Sequence, residues 1–192
     1  MSDFAPPTVT IHADESCLGN QNRGRENPGG AAGLVEFWDG ERWVRRDYWV
    51  SEPGTTNNRM ALRSAIEGLR GLKDSCRVEF VSDSQYLVKG MSEWIHGWKR
   101  RGWKRKGGAI ENLELWQELD QVADRHELVW TWVRGHDGNP RNEYVDHLAV
   151  QAARNQDRSD GFVPSGFEAW LEEQRERDRF MDVFEFAPPE GI

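Results

Sequence analysis

The start of the chain predicts three consecutive β-strands, and this run most constrains what the chain can fold into. Residues 8–13 alternate and carry β-branched side chains, and residues 31–38 and 43–50 are also typical of strands. Asp39 and Gly40 stand between the last two segments, and this dipeptide favours a tight hairpin turn. We therefore expect three antiparallel strands in succession.

Helices and strands alternate in the rest of the chain. Residues 55–58 supply helix-capping side chains, and apolar residues then follow helical spacing from Leu62 to Leu72. After this helix we expect a strand at 77–82, a helix from about 84, helical segments at 92–100 and 111–125, a strand at 128–133 and a helix at 142–154. This order predicts an α/β fold in which a five-stranded mixed β-sheet is flanked by α-helices.

The length of 192 residues predicts one domain with an appendage, at about 150 residues per domain. Residues 159–166 contain Gly and Pro and are typical of a linker, and residues 167–184 favour a charged helix. We therefore divide the chain into a domain at 1–157 and a C-terminal extension at 158–192. Because the net charge of −8 is concentrated after residue 150, we expect the extension to be an independent acidic segment.

Composition predicts a folded cytoplasmic protein. Hydrophobic residues make up 37% of the chain, and ten Trp add apolar area for a core. No apolar run approaches the roughly 20 residues that span a bilayer, and the first residues do not resemble a secretion signal. Cys17 and Cys76 offer neither metal-binding spacing nor a disulfide framework. We expect a cytoplasmic monomer with no membrane partner.

A basic segment runs against the negative net charge. Six cationic residues and no acidic ones lie between Trp94 and Ile110, namely Lys99, Arg100, Arg101, Lys104, Arg105 and Lys106. A local cluster of this kind can bind a polyanion whatever the total charge is. The alternative is a solvated amphipathic helix whose Trp side chains belong to the core.

Three aspartates stand where chemistry collects in α/β proteins. Asp14 and Asp83 each follow an apolar strand, and Asp146 begins the last helix after a loop that holds His136. Any one of them alone would be explained as a turn or cap residue. Together, without Cys or clustered His, they form an oxygen-ligand set that suits Mg²⁺ or Mn²⁺.

Five stretches resemble bacterial type 1 ribonuclease H in order and spacing over residues 8 to about 153. They are 12–20 (HADESCLGN), 55–60 (TTNNRM), 82–86 (SDSQY), 94–104 (WIHGWKRRGWK) and 133–140 (VRGHDGNP). The resemblance implies the ribonuclease H-like fold and endonucleolytic hydrolysis of the RNA strand of an RNA/DNA hybrid. It also implies two Mg²⁺ ions, with Mn²⁺ as an alternative, held by Asp14, Asp83, Asp146 and a fourth carboxylate, while His136 assists turnover.

The fourth carboxylate of the family is a Glu directly after Asn-Arg-Met, and here that position is Ala61. Strand alternation directs Glu15 to the other side from Asp14, and Glu67 falls on another helix face, so neither is an obvious substitute. We therefore expect Ala61 to inactivate the chain, whether the change is deliberate or natural. The alternative is a non-catalytic hybrid-binding protein, and another polynucleotidyl transferase of the same fold is disfavoured.

The resemblance also implies the residues that contact nucleic acid. Residues 56–58 can cap a helix and bind a phosphate at its N-terminus, while the segment from Trp94 to Lys106 resembles a handle that grips the DNA strand. Asn20 and Gln85 resemble polar side chains that reach into the minor groove of the hybrid. The full set is Asn20, Thr56, Asn57, Asn58, Gln85, Trp94, Trp98, Lys99, Arg100, Arg101 and Lys104.

Overall fold

The computed structural model describes residues 7–19, 27–135 and 138–189, and these residues contain one mixed sheet of six strands. The strands are β1 (Thr8–Cys17), β2 (Gly29–Trp38), β3 (Trp43–Glu52), β4 (Arg77–Ser82), β5 (Glu127–Trp132) and β6 (Val163–Pro164), in the spatial order β5-β4-β1-β2-β3-β6. Strands β1, β2 and β3 pair antiparallel, whereas β4 pairs parallel to both β1 and β5. The predicted fold class is confirmed, and β6 is the one strand beyond the five expected.

The helices follow the predicted order. They are α1 (Asn57–Gly71), α2 (Gln85–Lys89), α3 (Ile95–Arg100), α4 (Leu113–Ala123), α5 (Pro140–Asn155) and α6 (Phe167–Arg175), with a π-helical turn at Gly90–Trp94 between α2 and α3. Asn139 caps α5 by accepting from the backbone N–H groups of Arg141 and Asn142. No helix within the described ranges is both long and apolar enough to cross a membrane.

The sheet has a core on each face. The larger core joins β1 and β4 to α1 and α4 and includes Ile11, Leu62, Phe80 and Trp116, all completely buried. Neighbouring residues of β2 belong to different cores, since Val35 lies in the larger one and Leu34 in a second cluster with side chains of α5 and α6. Successive strand residues point to opposite faces, so both faces of β2 are covered.

The C-terminal extension packs on the domain, so the expectation of an independent segment is wrong. Strand β6 pairs with β3, and Phe167 and Leu171 of α6 are completely buried against Leu34 and Tyr144. Asp47 of β3 accepts hydrogen bonds from Tyr144, Ser165 and the backbone of Gly166. The extension is acidic overall, but it also carries apolar residues at helical spacing. These apolar residues pack it against the second core.

Candidate active site

Asp14 and Asp83 meet at one edge of the sheet. The pairing between the parallel strands β1 and β4 ends at Ala13 and Ser82, and an aspartate comes next in each segment, Asp14 within β1 and Asp83 directly after β4. Ligand oxygens of Asp14 and Asp83 lie within 4.8 Å of each other. The convergence expected for the carboxyl ends of neighbouring strands is therefore observed.

Glu15 brings a third carboxylate to the same place. One of its carboxylate oxygens lies within 4.8 Å of ligand atoms of both Asp14 and Asp83. The expectation that strand alternation would separate Glu15 from Asp14 is wrong. Its reason is local: past Ala13, strand β1 has lost its pairing with β4, so the side chains on both of its faces border the same open edge. Two adjacent acidic residues at a strand end were the available sequence signal.

The carboxylates repel one another in a poorly solvated place. Burial raises the pKa of Asp14 to about 8, and the charges of Asp83 and Asp146 act in the same direction, against the hydrogen bond that the Glu15 N–H donates. That bond measures 2.7 Å to Oδ1 of Asp14. The pKa of Glu15 is also raised well above its ordinary value. Burial is the largest cause, and the negative charges of Asp14 and Asp83 act in the same direction. A divalent cation would relieve both effects, and an all-oxygen donor set fits a hard cation.

The first two turns of helix α5 contribute two polar side chains to the site. Asp146 is half-buried, and its charge raises the pKa of Asp14, although it lies outside the group of three carboxylates. Asn142 is buried, and its side-chain N–H₂ donates to Oδ2 of Asp14 at 3.4 Å. The spacing of four residues puts Asn142 and Asp146 on one helix face, a signal that could have identified Asn142. His136 lies outside the described residues.

The predicted handle, from Trp94 to Lys106, combines packed tryptophan side chains with exposed cationic ones. Trp94 is 36% exposed and packs edge-on to Tyr86, whereas Trp98 is buried and packs edge-on to Trp116 in the larger core. Arg100, Arg101 and Lys104 are exposed. Trp98 is therefore a core residue, and Trp94 is the tryptophan of the predicted pair that a ligand could contact.

Lys99 differs from the other cations of the handle. Its ammonium donates to Asp120 of α4 at 2.7 Å and lies 4.0 Å from Asp124, the residue that directly follows α4. The segment is free of acidic residues in sequence, but α4 supplies them in space. The positive charge that Lys99 offers to a polyanion is accordingly reduced.

The first turn of α1 and the start of α2 are exposed at the same end of the sheet as the carboxylates. Thr56 caps α1 by accepting from the Arg59 N–H, and Asn57 is exposed beside it while Asn58 is half-buried. Gln85, the first residue of α2, is exposed two positions after Asp83. Asn20 lies outside the described residues, so its predicted minor-groove contact is without a structural counterpart.

The chain is similar in sequence to known proteins. The sequence profile of the family described as RNase H matches residues 6–154. Ribonuclease H of Stutzerimonas stutzeri (strain A1501) is 45% identical over 151 residues, which cover 76% of this chain and 94% of that protein. The chain belongs to the ribonuclease H family. Its members are hydrolases that cut nucleic acid, and this chain is an enzyme of that class.

Two solved structures are similar to this chain in fold. LC9-RNase H1, described as a type 1 RNase H with the type 2 active-site motif, is 51% identical with a TM-score of 0.87, covering 100% of this chain and 93% of that chain. The RNase H domain of PFV, at 15% identity and a TM-score of 0.67 over 78% of this chain and 96% of that chain, shows the fold alone.

Ala61 occupies the position at which the resemblance implies a Glu. It lies in α1, is 1% exposed and belongs to the larger core together with Ala13, Leu62 and Ala65. The position that resemblance assigns to a Glu is thus taken up by core packing. The structure places an acidic side chain near Asp14 and Asp83 by another route, through Glu15.

Proposed function

We propose that this chain hydrolyses the RNA strand of RNA/DNA hybrids, as an endonuclease that uses two Mg²⁺ ions. The observation that carries the proposal is the group of Asp14, Glu15 and Asp83, whose ligand oxygens lie within 4.8 Å of one another in a chain of the ribonuclease H family. Mn²⁺ is an alternative, since it accepts the same oxygen ligands.

In this proposal Glu15 replaces the carboxylate that Ala61 lacks. Asp14, Glu15 and Asp83 hold the ions, and Asp146 completes the set from α5. The relative LC9-RNase H1 is described as a type 1 RNase H with the type 2 active-site motif, so a changed set of active-site residues on this fold has a precedent. The chain is then an active enzyme rather than one inactivated at Ala61.

The ions would stabilise the developing charge on phosphate oxygens and supply an activated water nucleophile. The protein's own contribution is orientation and protonation state. Asn142 donates to one oxygen of Asp14 and the Glu15 N–H donates to the other, so the Asp14 carboxylate is fixed in one orientation. Since the pKa of Asp14 is about 8 without metal, a cation must displace a proton there at neutral pH. His136, in the loop before α5, is proposed to assist turnover.

Hybrid recognition would use the exposed groups around the carboxylates. We assign the DNA strand to Trp94, Arg100, Arg101 and Lys104, with Lys99 and the buried Trp98 in lesser roles. The exposed N-terminus of α1 at Thr56, Asn57 and Asn58 would take a phosphate. Asn20 and Gln85 would contact the minor groove, where 2′-hydroxyls distinguish RNA from DNA.

Two further properties belong to the same proposal. Cys17 and Cys76 are free thiols, which suits the reducing cytoplasm. We propose that the chain works there as a monomer, and sedimentation of the purified protein would test its oligomeric state.

The deciding experiment is cleavage of a labelled RNA/DNA hybrid in Mg²⁺ by four proteins: the chain itself, Glu15→Gln, Ala61→Glu and the double variant. The chain should cut only the RNA strand, and Glu15→Gln should reduce the rate about 100-fold or more, because a metal ligand contributes several kcal/mol. Ala61→Glu should raise the activity of the Glu15→Gln protein. Glu67→Gln, which changes a carboxylate paired with Arg70 and Arg158, is the matched control and should cut normally.

The second candidate is the non-catalytic hybrid-binding protein, which the missing Glu at position 61 favours. It predicts that the chain binds hybrid without cutting it and that Ala61→Glu alone restores cleavage. That outcome would overturn the role proposed for Glu15.

A further inference from the structure

The junction between β5 and α5 is held against Asp83 at three points. The indole N–H of Trp132 donates to the Asp83 carbonyl at 3.0 Å. The Val133 N–H donates to the Ser82 carbonyl at 3.1 Å, so the carbonyl groups on both sides of the Asp83 Cα are tied to the end of β5. Asp83 therefore stands on a main chain that β5 fixes in place.

Gly135 makes the third contact, and it is made with the carboxylate itself. A Cβ atom added to Gly135 would lie 2.2 Å from Oδ2 of Asp83 and 3.3 Å from its Cγ. Real side chains do not approach this closely, so any other residue at position 135 would force one of the two groups to move. Because Gly135 has no side chain, the loop backbone can lie directly on the carboxylate.

The way in which this clash can be relieved decides what Gly135 does. The atom in the way is the tip of a side chain, not backbone, so rotation of the Asp83 carboxylate would accommodate a larger residue while the fold stays intact. The same rotation would move the Asp83 carboxylate, one oxygen of which lies within 4.8 Å of ligand oxygens of Asp14 and Glu15. We therefore expect the glycine at this position to affect the orientation of the Asp83 carboxylate more than the stability of the fold.

We propose that Trp132 and Gly135 are positioning residues that set the orientation of Asp83: Trp132 fixes its main chain, and Gly135 confines its carboxylate to the side of Asp14 and Glu15. The inference rests on the proposed function, in which those carboxylates bind divalent cations. Groups that orient metal ligands typically change metal affinity by about 10- to 100-fold when they are altered. Neither residue needs to touch the cation or the substrate.

The test compares Gly135→Ala and Trp132→Phe with the unchanged chain, by the rise in melting temperature on Mg²⁺ titration and by calorimetric Mg²⁺ binding without nucleic acid. Gly135→Ala should raise the half-saturating Mg²⁺ concentration about 10- to 100-fold while the metal-free melting temperature stays within a few degrees. Trp132→Phe keeps an aromatic ring but lacks the donor, and it should shift Mg²⁺ binding in the same direction by a smaller factor.

Gly166→Ala is the matched control, because its added Cβ would also meet the tip of a side chain, 3.0 Å from the Tyr144 hydroxyl, and that hydroxyl is hydrogen-bonded to Asp47 of β3 and not to Asp83. It should leave Mg²⁺ binding unchanged. In an Asp83→Asn background, Gly135→Ala should have no further effect on Mg²⁺ binding.

The outcomes separate the two proposals. If the unchanged chain shows no Mg²⁺ binding, the proposed metal site fails. If it binds Mg²⁺ and Gly135→Ala binds equally well, the metal site stands and the positioning role is overturned. A large loss of metal-free stability in Gly135→Ala would also overturn it, since the residue would then serve the fold.

Discussion

Two buried carboxylates on neighbouring strands face opposite electrostatic situations. Glu36 of β2 and Asp14 of β1 are 3% and 5% exposed, and their pairing with Thr10 and Ala32 puts both on the sheet face that α5 covers. Glu36 is surrounded by Arg45, Arg141 and His12, whereas Asp14 lies beside Glu15 and Asp83.

The pKa values show what the surroundings do. Burial opposes ionisation of Glu36, yet hydrogen bonds and charge from His12 and Arg141 outweigh it and hold the pKa well below its ordinary value. At Asp14, burial and like charges act together and raise the pKa. The first carboxylate is stabilised as an anion by protein cations, whereas the second lies among like charges, which suits the cation proposed above. This difference separates a structural charge network around Glu36 from the candidate metal site around Asp14.

The C-terminal extension contacts the cations that stabilise Glu36. Its deletion should have the largest effect on stability. It supplies Glu168 and the Glu185 carbonyl to Arg45, and Arg45 and Arg141 each lie over the ring of Phe167 at 5.5 Å. Deleting residues 161–192 should therefore lower the free energy of unfolding by more than about 5 kcal/mol, or prevent folding, as denaturant unfolding would measure. Phe184→Ala, which removes a side chain that is 78% exposed, is the control and should change little. A stable truncated domain would contradict the docking.

Glu36→Gln should give the next largest effect. It leaves Arg45, with its buried guanidinium, without its closest carboxylate, and such a loss costs about 3–5 kcal/mol. Because the pKa of Glu36 is lower in the folded protein than its ordinary 4.5, its contribution is complete above pH 4.5 and is lost as the pH falls below that value. Urea unfolding from pH 7 to 3 should thus show less acid sensitivity in Glu36→Gln. Glu41→Gln, at an exposed hairpin position, should follow the unchanged protein.

Asp14→Asn should have a smaller effect of opposite sign on stability. Since folding raises the pKa of Asp14 from 3.8 to about 8, ionisation destabilises the metal-free fold progressively as the pH rises between these values. The variant removes this charge, so at pH 8 without metal it should unfold at a temperature several degrees higher than the unchanged protein, and the difference should shrink as the pH falls toward 4. It should also lose the stabilisation that Mg²⁺ gives the unchanged protein. A lower metal-free melting temperature in the variant would contradict the claim that the Asp14 charge destabilises the fold.

The sequence predicts most of this fold because each element carries its own local signal. Apolar spacing indicates α1, and the aspartates that follow the apolar residues of β1 and β4 indicate the end of the sheet where the site lies. Features that depend on three-dimensional neighbours are missed. Strand alternation misplaces Glu15 because it ignores where pairing stops, and composition hides that Phe167 and Leu171 are core residues. Gly135 carries no signal, since only the approach of Asp83 makes its missing side chain matter.

The handle repeats the comparison on a small scale, because one of its cations is compensated and another is exposed. Lys99 donates to Asp120 at 2.7 Å, and this contact raises its pKa, while Arg100 is exposed on the same short helix. A cation that contacts one phosphate contributes about one unit to the slope of log K against log salt. Arg100→Ala should therefore flatten the slope for hybrid binding by about one unit, measured by fluorescence anisotropy with Mg²⁺ replaced by EDTA.

Lys99→Ala should flatten that slope by less than half as much, because its ammonium must leave Asp120 before it can meet a phosphate. Asp120→Asn provides the converse, since freeing Lys99 should steepen the slope and tighten binding at low salt. Equal slopes for Arg100→Ala and Lys99→Ala would mean that the ion pair with α4 opens at no cost when the hybrid binds. The distinction between compensated and uncompensated charge would then hold for the buried carboxylates and not for the exposed cations, where water already screens both partners.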